Sequence, residues 1–90
     1  PQTQAVQVAV QVAPHSEYRA EQVLEEVEDA VRGWFTGQRL GHDVLLAQLG
    51  SLIYGCDGVA NYAILSPTAD VEVEQDVLPV LDTLTVEEMP

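Results

Sequence analysis

Cys56, His15 and His42 are the side chains of this 90-residue sequence best suited to nucleophilic or metal chemistry. A thiol beside an imidazole base is the arrangement of a cysteine nucleophile. Cys56, however, lies in a Gly-Cys-Asp-Gly turn with no orienting motif around it. The spacing of the three residues also matches no compact zinc pattern. We therefore predict no catalytic residue, no metal ligand and no cofactor, and interpret all three as loop or surface residues.

A second candidate for chemistry is an alternating run of four acids, namely Asp70, Glu72, Glu74 and Asp76. Carboxylates bind calcium, but this run lacks the central glycine and the terminal glutamate of an EF-hand loop. In an extended segment, alternation sends all four side chains to one side, and a charge run is usually a solvated face. We predict a short extended edge segment whose acids face solvent and are available to a partner.

The charge of the chain is strongly negative. Fifteen acidic residues stand against three arginines and no lysine, for a formal net charge of −12. This charge repels nucleic-acid phosphates and anionic lipids, and it favours a partner with a basic surface. Four acids stand four residues apart, at Glu17, Glu21, Glu25 and Asp29. They form either a solvated helix face or a docking ridge for such a partner.

Length and cysteine usage set further limits. Residues 1–90 fit a single domain with a thin core. One cysteine cannot form an internal disulfide, which fits a reducing compartment. No apolar run approaches the ~20 residues that span a bilayer. The sequence does not begin with methionine, which indicates a module excised from a longer protein.

Strict alternation over residues 5–13 predicts a first strand that has one buried face. The buried face consists of four valines: Val6, Val8, Val10 and Val12. The opposite face is small and uncharged, so another chain could cover it; its positions include Gln7, Ala9 and Gln11.

The apolar period then changes to that of helices. Residues 17–36 predict an amphipathic helix, with Ser16 as its N-cap and Gly37 as its stop. A second helix is predicted to start near Asp43 and to end at Gly55. We expect the apolar sides of both helices to face the four valines of the first strand.

Two further strands follow. Residues 59–66 predict a second strand that Pro67 closes, and residues 83–86 predict a last strand. Pro79 makes its surroundings a poor central strand. Residues 87–90 are expected to fray.

These elements predict an α+β fold. Two helices joined by a short loop run antiparallel, so the first two strands should also be antiparallel. The expected architecture is a two-layer sandwich, in which an antiparallel helix pair packs on one face of a small, mainly antiparallel sheet (β-α-α-β-β). A small acidic ferredoxin-like binding or regulatory module shares this layout. A second βαβ half would support that alternative, and the sequence shows only one.

Several short segments then occur in a distinctive order. Gly-His-Asp-Val at 41–44 precedes the second helix, and Gly-Cys-Asp-Gly-Val at 55–59 follows it. Ser-Pro-Thr-Ala-Asp at 66–70 comes next, and Leu-Pro-Val-Leu-Asp-Thr-Leu-Thr-Val at 78–86 ends the series. In this order and spacing, residues 5–86 resemble the C-terminal domain of baseplate J-like proteins of contractile phage tails and related injection machines.

The resemblance implies a structural function without a cofactor. The chain would be the C-terminal module of a baseplate wedge protein that joins other baseplate subunits in an oligomeric ring. Its location would be the virion tail baseplate, assembled in the bacterial host cytoplasm. The isolated fragment is expected to be mainly monomeric, because its charge opposes self-association. The candidate contact positions are Gln7, Ala9, Gln11, Asp70, Glu72, Glu74 and Asp76.

Overall fold

A computed structural model describes residues 2–36 and 39–90. Its elements are β1 (Gln2–Pro14), α1 (Ala20–Phe35), α2 (Leu46–Tyr54), β2 (Val59–Ser66) and β3 (Val77–Glu88). The order β-α-α-β-β, the α+β class and the two-layer arrangement confirm the prediction. The 13 residues of β1 rise about 3.3 Å each, which accounts for a long molecular axis of 44 Å.

The sheet is mixed, and β1 is its central strand. The strand order is β2-β1-β3. β1 pairs antiparallel with β2, as predicted, but parallel with β3. The prediction of a mainly antiparallel sheet is therefore wrong. A tight hairpin would have placed β3 beside β2, whereas residues 67–76 carry the chain past β1 to its other side. β3 runs opposite to β2, and it is therefore parallel to β1.

The last strand is longer than the sequence predicted. β3 covers residues 77–88 rather than 83–86, and its pairing continues through Glu88. The Met89 N–H then donates to the Val12 carbonyl at 2.7 Å, so the predicted fraying from residue 87 is wrong. Pro79 lies within β3, which is an edge strand and therefore tolerates a residue without an N–H.

The core lies between the sheet and the two helices. The four valines of β1 that were predicted to be buried are at most 3% exposed. α1 packs mainly against β3, and α2 packs against β2. The helical residues in the same buried cluster include Val23, Val27, Val31, Trp34, Leu49 and Ile53. The predicted orientation of β1 and of both helices is thus confirmed.

The first helix begins later than predicted. Its first residue is Ala20, and its N-cap is Arg19, which makes no side-chain cap hydrogen bond. Ser16 lies in the turn that precedes the helix, three residues before the N-cap, so its prediction as N-cap is wrong. At the other end, the C-cap is Thr36. Gly37, the predicted stop, lies outside the described residues.

The element order bears on the ferredoxin-like alternative. Within residues 2–36 and 39–90, β3 follows β2 without an intervening helix, so the second βαβ half is not found there. In the same part of the chain, neither helix is long and apolar enough to cross a membrane.

Candidate interaction surfaces

The loop before α2 and the segment before β3 hold each other. We call residues 41–46 and 70–77 together the clasp. At its centre, Val44 and Val71 form an antiparallel bridge in which the N–H of each donates to the carbonyl of the other at 2.9 Å. Val44 is fully buried. The clasp therefore ties the start of α2 to the connection that carries the chain from β2 to β3.

Two carboxylates lie on either side of this bridge. The Val73 N–H donates to Asp43 Oδ1, and the Leu46 N–H donates to Asp70 Oδ1, both at 2.8 Å. Asp70 thus satisfies a free N–H in the first turn of α2, which is the task of a capping side chain. The sequence indicated Asp43 near the helix start, but the cap comes from a residue 24 positions away.

Gly41 allows the two parts of the clasp to approach closely. Its φ is 72°, which is in the left-handed region, and its N–H donates to the Val77 carbonyl at 2.8 Å. A Cβ at this position would lie 2.7 Å from the carbonyl oxygen of Gln75. Both observations require glycine at the start of the Gly-His-Asp-Val segment.

The cap at Asp70 is testable by denaturation. We expect Asp70→Ala to lower the free energy of unfolding by about 1 kcal/mol, the usual effect of losing a capping side chain. Urea unfolding followed by circular dichroism measures the change. Asp76→Ala is the matched control, because it removes an exposed acid of the same segment. Equal stability of the two variants would contradict a capping role for Asp70.

The remaining acids of the alternating run form what we call the acidic face: Glu72, Glu74 and Asp76. All three are exposed, whereas Val71 is half-buried and Val73 is buried. The segment makes a single bridge rather than a strand, so the prediction of a short edge segment is confirmed only at Val71. Asp70 is also exposed, but its carboxylate already has a structural partner.

A second surface lies on the side of the sheet away from the helices. Gln7 is exposed, and Ala9 and Gln11 are half-buried. Residues paired across a sheet share a face. The partners of these three positions on the neighbouring strands are Thr83, Thr85, Ser66, Ala63 and Glu87. Among these partners only Glu87 is charged, and we call this surface the neutral face.

The Cys56 thiol is a poor nucleophile in this fold. It donates to the Leu52 carbonyl at 3.5 Å, and the Glu26 carbonyl lies 3.9 Å from the sulfur. Burial raises the pKa of the thiol, and the negative charges of Glu26 and Asp57 raise it further. A raised pKa lowers the thiolate fraction, and the thiolate is the reactive form.

Acidic and histidine side chains do not gather into a metal site in the described part of the chain. Within residues 2–36 and 39–90, no group of three or more His, Cys, Asp or Glu residues could hold a metal ion. The two histidines lie in separate loops, His15 before α1 and His42 before α2.

Comparison with known protein families gives a match over most of the chain. No curated protein matches the chain. The family model described as the baseplate J-like protein C-terminal domain matches residues 6–87. The matched region begins in β1 and ends in β3, so it includes both helices, the clasp and β2. The chain belongs to the baseplate J-like protein C-terminal domain family.

Proposed function

We propose that this chain is an assembly module of a contractile-tail baseplate wedge and acts through protein–protein contacts in a multi-subunit ring. The observation that carries this proposal is the family match over residues 6–87. The family is structural and is not known as enzymatic, which indicates a structural role in a phage tail baseplate. That role implies that the chain is located in the virion tail. We propose that the baseplate is assembled in the bacterial host cytoplasm.

The charge of the chain supports contacts with protein rather than with nucleic acid or membrane. A net charge of −12 repels polyanions and attracts basic protein surfaces. The same charge opposes self-association, so the isolated single domain, residues 1–90, is monomeric. The partners are the other baseplate subunits, and the full protein forms a ring together with them.

Two surfaces are available for these contacts, and they differ in their expected response to salt. A contact through the acidic face should weaken as salt rises, because exposed charges are screened beyond ~8 Å at physiological ionic strength. A contact through the neutral face should respond little to salt, since it buries small uncharged side chains. Salt dependence of assembly therefore distinguishes the two surfaces.

The acidic face is tested by charge reversal in the full protein that carries this domain. We expect Glu72→Lys, Glu74→Lys and Asp76→Lys together to prevent or strongly reduce baseplate assembly, scored by electron microscopy. The three lysines would repel the basic partner surface that the three acids attract. Asp70 is left unchanged, because its reversal would also remove the cap of α2.

The matched control reverses three exposed acids of α1: Glu21→Lys, Glu25→Lys and Asp29→Lys. It changes the net charge by the same amount and should leave assembly unchanged if these acids form a solvated helix face. Loss of assembly in this variant would instead identify the acids of α1 as a docking ridge. Normal assembly of the acidic-face variant would exclude that face as a contact and leave the neutral face. If deletion of residues 1–90 left assembly and infectivity intact, the assembly function itself would be wrong.

A further inference from the structure

The two edges of the sheet are protected to very different degrees. Natural proteins shield edge strands with charges and prolines, because an open edge can pair with another chain. β3, at one edge, contains Pro79 together with Asp82, Glu87 and Glu88. β2, at the other edge, has the sequence VANYAILS, which includes no charged residue and no proline. The edge of β2 is therefore open in a molecule that is otherwise rich in acids.

Hydrogen bonds identify the backbone groups at this edge. The Tyr62 N–H donates to Oδ1 of the preceding Asn61 at 2.9 Å rather than to β1. Tyr62 is paired with Val12, whose carbonyl accepts from Met89 on the β3 side. In an antiparallel ladder, alternate residues direct their backbone groups to the same side. Ile64 thus presents both its backbone donor and its acceptor outward, and Tyr62 presents its carbonyl outward while its N–H is held by Asn61.

Exposed apolar side chains lie beside these groups. Leu65, within β2, is 51% exposed, and Tyr54, at the end of α2, is 59% exposed. The Tyr54 ring lies 6.2 Å from the Tyr62 ring. A strand added at an edge gains main-chain hydrogen bonds and places alternate side chains on such positions. The edge of β2 thus offers both components of strand addition.

We infer that the open edge of β2 accepts an extended strand that is uncharged in its middle, carries Lys or Arg at its ends, and comes from another baseplate subunit. The assignment of this strand to another baseplate subunit rests on the proposed assembly function. That function does not itself specify a contact at the edge of β2. Charge selects the occupant. Glu26 and Asp57 lie near Cys56, close to the start of β2, and favour a basic residue at whichever end of the added strand lies there. A second copy of this chain also has a net charge of −12, so it would be repelled.

The test uses a synthetic peptide of alternating threonine and valine with two lysines at each end. It is titrated into the isotope-labelled chain, and amide hydrogen exchange is followed by nuclear magnetic resonance. We expect exchange at the Ile64 amide to slow by about tenfold or more, because local opening must then break the added hydrogen bonds. The same peptide with glutamates at its ends is the control for charge, and it should bind more weakly.

A pair of variants locates the site. Leu65→Lys should weaken binding of the lysine-ended peptide by about tenfold, since a half-exposed leucine no longer contributes to the contact. Leu40→Lys is the matched control, because Leu40 is 50% exposed and the change in charge is the same. It should leave binding unchanged, and neither substitution alters a buried residue.

Several results would overturn the inference. They are unchanged exchange at the Ile64 amide with millimolar peptide, protection at β3 instead, and equal binding of the glutamate-ended peptide. A dimer in sedimentation that Leu65→Lys abolishes would make the occupant a second copy and would also overturn it. The peptide assay does not depend on baseplate assembly. Failure of the assembly function and failure of strand binding are therefore distinguishable.

Discussion

Replacing Trp34 with alanine is expected to lower the free energy of unfolding by about 3–5 kcal/mol, the usual range for losing a buried tryptophan. Trp34 lies near the end of α1 and is 8% exposed. Its ring packs edge-to-face on Phe35, with a centroid distance of 4.9 Å. The Arg39 guanidinium lies 4.7 Å from the same ring, and its Nε donates to the Trp34 carbonyl at 3.0 Å.

The expected loss is large relative to the stability of a small domain, which is typically about 5–15 kcal/mol in total. Urea unfolding followed by circular dichroism is the suitable measurement, because tryptophan fluorescence is lost in the variant. Leu40→Ala is the control, since it removes an exposed apolar side chain. A loss below about 1 kcal/mol for Trp34→Ala would contradict its place in the core.

Gly58→Ala is expected to have the second largest effect, a loss of about 2–4 kcal/mol. The φ of Gly58 is 87°, a conformation that is strained for any residue with a side chain. A Cβ would also lie 2.7 Å from Cγ of Tyr18 and 2.8 Å from Cγ2 of Val23. The Gly58 carbonyl accepts from the His15 N–H at 2.8 Å, so a shift of this turn also disturbs the end of β1.

Gly33→Ala is the matched control for Gly58→Ala and should act in the opposite direction. A Cβ at Gly33 would meet no atom within 4 Å. Gly33 lies inside α1, where alanine is more favourable than glycine by roughly 0.5–1 kcal/mol. Urea unfolding of the two variants beside the original chain compares them directly. If Gly58→Ala matched the original chain in stability, the turn would not require glycine.

Two of the segments that carry the family resemblance, at 41–44 and 66–70, meet in the clasp. Asp43 of Gly-His-Asp-Val and Asp70 of Ser-Pro-Thr-Ala-Asp both make their hydrogen bonds within the clasp. Gly58 of the turn before β2 packs against Tyr18 and Val23. These pieces stabilise the fold rather than form a chemical site.

The sequence alone identified most of the local elements of this protein, although not the start of α1 or the length of β3. Alternation identified β1 and its buried valines, and the change to a helical period identified α1 and α2. Residues 59–66 were predicted as a strand and form β2 within the same bounds. These predictions succeeded because the side of an element that becomes buried is set by side-chain spacing, which is visible in the sequence.

Tertiary structure alone decided how distant segments meet. β3 is parallel to β1 because residues 67–76 cross to the far side of β1, and no local pattern specifies that path. Likewise, α2 receives its cap from Asp70 rather than from Asp43, which lies just before the helix. The open edge of β2 also became visible only when the strand order was known. Each outcome depends on packing between residues far apart in the chain, where burial and backbone hydrogen bonding outweigh local preference.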